Sequence, residues 1–239
     1  MVRTAVVRLA YRLGITPSNV RLEICDVLLT PPNPSNWSDY PNVSNEVDDL
    51  IEYAPWYRVY EVAEGLYERI ARNNPANCEE YEERLNEVFY EHGIGWEMRD
   101  GRILARGSQA FEETVQQASK LLQETNRGTA QRELDEAIRD ISRRPEADVT
   151  GAIQHAMAAL ECTSRDVTGD GQKTLGQLVR SLDLPQPLDA AVEKLWGFAS
   201  ERGRHIREGR EPRFEDAELV VTVASAVCIY LIRQSSTEA

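Results

Sequence analysis

Near the end of the chain, the segment RGRHIREGREPR, Arg202 to Arg213, sets five arginines against Glu208 and Glu211, a net charge of +3 with His205 neutral. Arg204 and His205 stand side by side in it, with Arg202, Arg207 and Arg210 close by. Guanidinium groups and helix N-termini favour phosphate, and an imidazole with a reference pKa of about 6.5 can move protons at neutral pH. These side chains suit RNA cleavage without a metal. A base takes the proton of a ribose 2′-hydroxyl, the oxygen attacks the adjacent phosphorus, and donors stabilise the added negative charge as the 5′ oxygen leaves. His205 is then the base or acid, and Arg204 the charge stabiliser. The competing reading is a solvated interhelical loop whose arginines pair with Glu208, Glu211 and Glu215, since surface ion pairs need no function. Charge alone leaves both open.

The elements that must hold this segment follow from helical periodicity. Asp148 or Thr150 can cap a helix whose apolar face is Ile153, Ala156, Met157 and Leu160, and the loop TSRDVTGDGQK leads to Leu175, Leu178, Val179 and Leu182. A third helix begins at Asp189, carries Val192, Leu195, Trp196 and Ala199, and is suited to end at Gly203; a fourth runs from about Phe214 to Arg233. Four short-looped helices predict a bundle over 148–239. The sequence RRPEAD, with Pro145, breaks the preceding helical pattern and marks the expected domain boundary.

Upstream, over 1–147, the expectation is a helical domain. Trp56, Val59, Tyr60, Ala63, Leu66, Tyr67 and Ile70 form one stripe of a helix of about five turns. Tyr81, Leu85, Val88 and Phe89 repeat it on a second helix that stops near Gly93 and Gly95. In WEMRDGRILA, residues 96–105, Asp100 and Gly101 suit the positive φ angles of a type I′ turn, so one small β-hairpin is expected. Phe111, Val115, Ala118 and Leu122, then Leu134, Ile138 and Ile141, resume the helical spacing. The first fifty residues hold an apolar stretch, Val20 to Leu29, and a proline-rich surface segment carrying Trp37 and Tyr40. The fold class is mainly α.

Charge and composition exclude several classes. A formal net charge of −13 provides no whole-molecule field for polyanions, so any nucleic-acid contact has to be local. The opening residues interrupt their apolar positions with Arg3, Arg8 and Arg12, which disfavours a signal peptide. The longest apolar run, Leu219 to Ile232, falls short of the roughly 20 residues a spanning helix needs. Cys25, Cys78, Cys162 and Cys228 stand far apart without a zinc spacing. A cytoplasmic protein without membrane, metal or cofactor is expected.

The string KLWGFASERGRHIREGREPRFEDAELVVTVASAVCIYLI resembles the last two helices of the HEPN-like domain at the C-terminus of bacterial abortive-infection proteins, where an Arg-His pair lies between an aromatic and an apolar helix. GAIQHAMAALECTSRDVTGDGQKTLGQLVRSL is similar to that domain's first two helices, with Glu161 after a small-and-apolar run; together the two cover 148–235. More loosely, the part from WYRVYEVAEGLYERI through the hairpin resembles the segment that precedes this domain in such proteins. The resemblance implies a metal-independent endoribonuclease of antiphage defence, acting as an RNA-directed toxin or effector. It further implies a homodimer through the C-terminal bundle and a phage-derived or protein trigger. The family motif is R-x4-6-H. Arg204 matches its arginine and His205 the polar residue often found next, but no histidine follows within six residues. Either His205 takes the proton-transfer role, or the domain is an inactive module that binds RNA, a nucleotide or a protein. A structural helical adaptor is the third class.

Glu161 can hold Arg204 by a bidentate pair, or be an exposed helix-end glutamate. His155, amid Ile153, Ala156 and Met157, reads as a core-edge histidine, and His92 as a helix-end one. The stretch Asp166 to Gln177 spaces oxygens like a calcium loop but ends in glutamine, and it also misses the phosphate-loop pattern.

Overall fold

The computed structural model describes residues 1–204 and 212–237, with side chains over 1–200 and 212–236. The chain forms two compact units, Met1–Arg106 and Gly107–Ala239. Both are helical, and the one sheet among the described residues is a two-stranded hairpin.

In the first unit, α1 (Val2–Arg12), α2 (Pro17–Leu28), α3 (Ser44–Tyr53), α4 (Trp56–Asn73) and α5 (Asn77–Glu91) precede β1 (Trp96–Arg99) and β2 (Arg102–Ala105). The expected five-turn helix is α4, which buries Val59, Tyr60, Val62, Ala63, Leu66 and Ile70. The second is α5, burying Tyr81, Leu85 and Phe89. Helices α1 to α3 lie outside the stripes that the spacing predicts. Proline at the first position of α2 and the Thr16 hydroxyl, which accepts from Asn19 N at 3.3 Å, start that helix. Arg3 belongs to the fold: its Nη1 donates to the carbonyls of Ile51 and Ala54, each at 2.6 Å, tying α1 to the end of α3.

The hairpin has the expected turn. Asp100 and Gly101 take φ of 49° and 76°, which pairs Met98 with Ile103 and turns both into the core. A Cβ at Gly101 would overlap the Tyr67 ring, so close approach as well as φ demands glycine. Asn86 on α5 anchors β1: its Nδ2 donates to Met98 O at 2.7 Å, and Met98 N donates to its Oδ1 at 2.6 Å.

The second unit contains α6 (Gln109–Glu124), α7 (Gly128–Ile141), α8 (Val149–Thr168), the short α9 (Leu175–Leu178) with a 3₁₀ turn over Val179–Ser181, α10 (Leu188–Arg204) and α11 (Phe214–Thr237). Here the structure differs from the sequence reading. The units divide between Arg106 and Gly107, not at 147/148, because Phe111, Val115, Ala118 and Leu122 of α6 and Leu134 and Ile141 of α7 share one buried core with α8 and α11. Pro145 interrupts a helix without separating domains. Across that turn Asp148 N donates to Asp140 O at 2.9 Å and Arg143 Nη1 pairs with Asp148 Oδ2 at 2.9 Å. The main packing is therefore of α6, α7, α8 and α11, with α9 and α10 laid against α8.

The Asp148 cap is as expected, its Oδ1 accepting from Gly151 N at 2.8 Å. The loop begins later than expected. Thr163 and Ser164 stay helical and buried, their hydroxyls donating to the carbonyls of Ala159 at 2.9 Å and Leu160 at 2.8 Å, and Gly169, with φ of 69°, follows the helix. Helix α10 continues through Gly203 to Arg204. Among the described residues no helix is long and apolar enough to cross a membrane.

Candidate functional site

A groove of about 330 Å³ runs between α8 and α10, lined by Gln154, Met157, Ala158 and Glu161 on one side and Trp196, Ala199 and Ser200 on the other. Trp196 is set by its other neighbour. A Cβ on Gly176 of α9 would stand 3.2–3.3 Å from three atoms of the indole's six-membered ring, so glycine lets α9 back the ring closely. Met157 and Ala199 form the buried apolar floor, while Gln154 is exposed and Glu161 and Ser200 are half-buried at the rim. The groove can take a flat or apolar group against the indole and hydrogen-bond its edge.

Glu161 is the one residue of the expected set whose side chain is described. It lies in the groove, and both of its oxygens have partners other than Arg204. Oε1 pairs with Arg165 Nη2 at 2.7 Å, one turn along α8, and Oε2 accepts from Leu175 N at 2.8 Å. The carboxylate thus ties the start of α9 to α8, where Thr174 and Gln177 form a capping box. Arg165 adds a second tie, its Nε donating to Lys173 O at 2.8 Å. Helix α10 carries the backbone of Arg202 and Arg204; their side chains, and His205, Arg207 and Arg210 entirely, lie outside the described residues. Arg213 stands just before α11, where its N donates to Asp216 Oδ2 at 3.0 Å.

His155, His92 and the acids of the second unit's candidate motifs have local partners or places. His155 sits half-exposed at the seam of α7 and α8, with Nδ1 2.8 Å from Glu133 Oε2 and Nε2 3.7 Å from Asp140 Oδ2. Burial, and then the charge of Asp148, holds the Asp140 carboxyl above its ordinary value. His92 occupies the C-terminal cap of α5. In the stretch that imitates a calcium loop, Asp166 lies in the last turn of α8, 3.5 Å from Arg127 Nη1, and Asp170 pairs with Lys173 at 2.7 Å, which lowers its pKa. No group of three or more potential metal ligands occurs among the described residues. All four cysteines are free, and burial pushes the Cys228 thiol up to about 12.

Gln154, Ala158 and Ser200 were not singled out in the sequence. On α8, Gln154, Ala158 and Glu161 follow the i, i+4, i+7 spacing of one helix face, which was a signal; what faces them across the groove was not.

Fold and groove together define a mainly helical protein of two units, with a hairpin in the first and a helical bundle bearing an open groove in the second. A family model described as AbiJ N-terminal domain 4 matches residues 2–121, half of the chain, and the chain belongs to that family. Membership places it with the abortive-infection proteins of phage defence. The match covers the first unit and most of α6, ending ahead of the 148–235 stretch that carries the HEPN resemblance. No curated protein and no solved structure matches the chain.

Proposed function

We propose that this protein is an effector of antiphage abortive infection whose stretch 148–239, within the second unit, is HEPN-like and acts on RNA, by metal-independent cleavage through Arg204 and His205. The observation that carries the reading is the order of parts along α10. Trp196, Ala199 and Ser200 line the groove, Arg202 and Arg204 follow within about one turn on the same helix, and Arg207, Arg210 and Arg213 come next in the sequence.

In this mechanism His205 takes the 2′-hydroxyl proton and the 2′ oxygen bonds to phosphorus. The bond to the 5′ oxygen breaks, and that oxygen takes a proton from water or from the protonated His205 of the second copy. Arg204 neutralises charge on the phosphoryl oxygens, with Arg202, Arg207 and Arg210 binding the flanking backbone. The products are a 2′,3′-cyclic phosphate and a 5′-hydroxyl. Two copies, paired through the second unit, bring two Arg204 and His205 sets into one cleft and concentrate the basic segments against the acidic remainder. A phage-derived or protein trigger would release the activity, and the protein would work in the cytoplasm.

The incomplete motif favours a second reading, an inactive module that binds RNA, a nucleotide or a protein. Incubating the purified protein with single-stranded RNA and a chelator separates the two. Chelator-resistant cleavage that yields cyclic-phosphate ends and is abolished by both Arg204→Ala and His205→Ala supports the enzyme. Cleavage that survives His205→Ala refutes the assigned chemistry. RNA binding that depends on Arg204 without any cleavage establishes the binding module.

A further inference from the structure

Residues 22–57 of the first unit contain seven carboxylates and no lysine, arginine or histidine. Three of the seven pair with cations outside the stretch: Glu23 with Arg69 at 2.5 Å, Asp26 with the same guanidinium at 3.9 Å, and Glu46 with Arg21 at 3.1 Å. Asp48, Asp49 and Glu52 are exposed on α3 and form no ion pair among the described residues. The same stretch displays large apolar groups to solvent. Trp37 is 84% exposed, Tyr53 86% and Tyr40 64%.

Trp37 does not owe its exposure to a loose loop. Asn36, before it, gives its carbonyl to Arg21 at 2.8 Å and its side-chain amide to Glu46 at 2.9 Å, and Glu46 also holds Asn33 N at 2.7 Å. Asp39, two residues after it, accepts from Ser18 N at 3.2 Å and Ser18 Oγ at 2.5 Å. The indole is thus held out between two anchors, and little ordering entropy remains to be lost on binding. Aromatic and acidic groups also meet in space. The Tyr11 hydroxyl is raised above the usual tyrosine range by burial and then by Asp48, Tyr40 and Asp39 around it.

We propose that the α2–α3 loop and the outer face of α3 dock an arginine- and lysine-rich segment of a partner protein. Charge selects this occupant. Asp39, Asp48, Asp49 and Glu52, which form no ion pair among the described residues, repel the phosphates of nucleic acid and of an anionic bilayer surface alike. A purely apolar partner would strip water from Asp48, Asp49 and Glu52 without compensation. A guanidinium stacks on an exposed indole and also pairs with carboxylates, so a basic segment uses both features of the face. The proposal does not depend on the ribonuclease reading.

The test uses the full-length protein and a fluorescein-labelled (Arg-Gly)6 peptide, followed by anisotropy at physiological salt. Loss of one cation–π contact predicts that Trp37→Ser weakens binding roughly 3- to 30-fold. The triple variant D48N/D49N/E52Q weakens it about tenfold or more. The triple variant E79Q/E83Q/E91Q, which removes the same charge from α5, changes it less than about twofold, all three keeping the wild-type circular dichroism. Equal losses for the two triple variants would mean bulk charge alone and overturn the proposal. So would peptide affinity indifferent to Trp37→Ser, or quenching of Trp37 by oligouridylate or phosphatidylserine vesicles but not by the peptide.

Discussion

Glu161→Ala tests the arrangement of the groove most directly, because sequence and structure give that carboxylate different partners. The substitution leaves the Leu175 amide at the start of α9 without its acceptor and Arg165 without its counter-ion. A hydrogen bond from a backbone amide to a carboxylate contributes about 1.5–3 kcal/mol, and a partly exposed i,i+4 ion pair about 0.3–0.5 kcal/mol. With Glu161 a quarter exposed, at 25%, about 2–3 kcal/mol is expected for local opening of α9. That converts to a roughly 30- to 150-fold rise in amide exchange. Hydrogen–deuterium exchange of a peptide spanning 174–182 reads it without requiring the whole chain to unfold as one. Glu161→Gln keeps one acceptor oxygen for Leu175 and should lose less than a third as much. Unchanged exchange in Glu161→Ala would refute the tether. A double-mutant cycle adds a sharper criterion: Glu161 should couple to Arg165, and a stronger coupling to Arg204 would restore the pairing first read from the sequence.

Two further outcomes follow from the same kind of accounting. Asn86→Ala leaves both polar backbone atoms of the buried Met98 without partners, so urea unfolding of the first unit should be easier by about 2–5 kcal/mol, and a loss under about 1 kcal/mol would contradict the anchoring role. For Asp140, whose folded carboxyl pKa is raised, the associated stability is present below the unfolded pKa and lost as pH rises through the folded value. Asp140→Asn should therefore melt higher than wild type at neutral pH, with the difference shrinking toward about pH 4. A lower melting temperature at neutral pH would show that the 3.7 Å approach to His155 outweighs desolvation.

The parts legible in the sequence are those whose physics is local. Asp100 and Gly101 had to take positive φ together, and the stripes on α4 and α5 had to face a core. Helix α1 was illegible because its buried positions, Val6, Val7 and Ala10, make a narrow stripe among arginines, and the role of Arg3 as a tether depends on α3 returning beneath it. The boundary was misplaced because Pro145 tells where a helix stops, not which helices share a core. Glu161 shows both cases at once. Arg165 lies four residues away and was readable from spacing, whereas Leu175 N reaches the carboxylate only through the turn that follows α8.

The distribution of cations bears on the proposed action. The first unit has eleven arginines and no lysine against eighteen acids, and several of the arginines are held inside the fold. Arg3 holds carbonyls, Arg21 holds Glu46 and the loop, and Arg69 holds Glu23. In the second unit Arg127, Arg143 and Arg165 are each paired with a carboxylate. A guanidinium already bound to a carboxylate releases few counterions from a phosphate, so these groups add little to polyanion affinity. If RNA is engaged as proposed, the segment from Arg202 to Arg213 is the densest source of attraction in the sequence, and a second copy would double that supply. On the proposal that two chains pair around RNA, conditions that separate the copies should also weaken RNA binding, because a lone segment of net +3 then acts without the second one beside it.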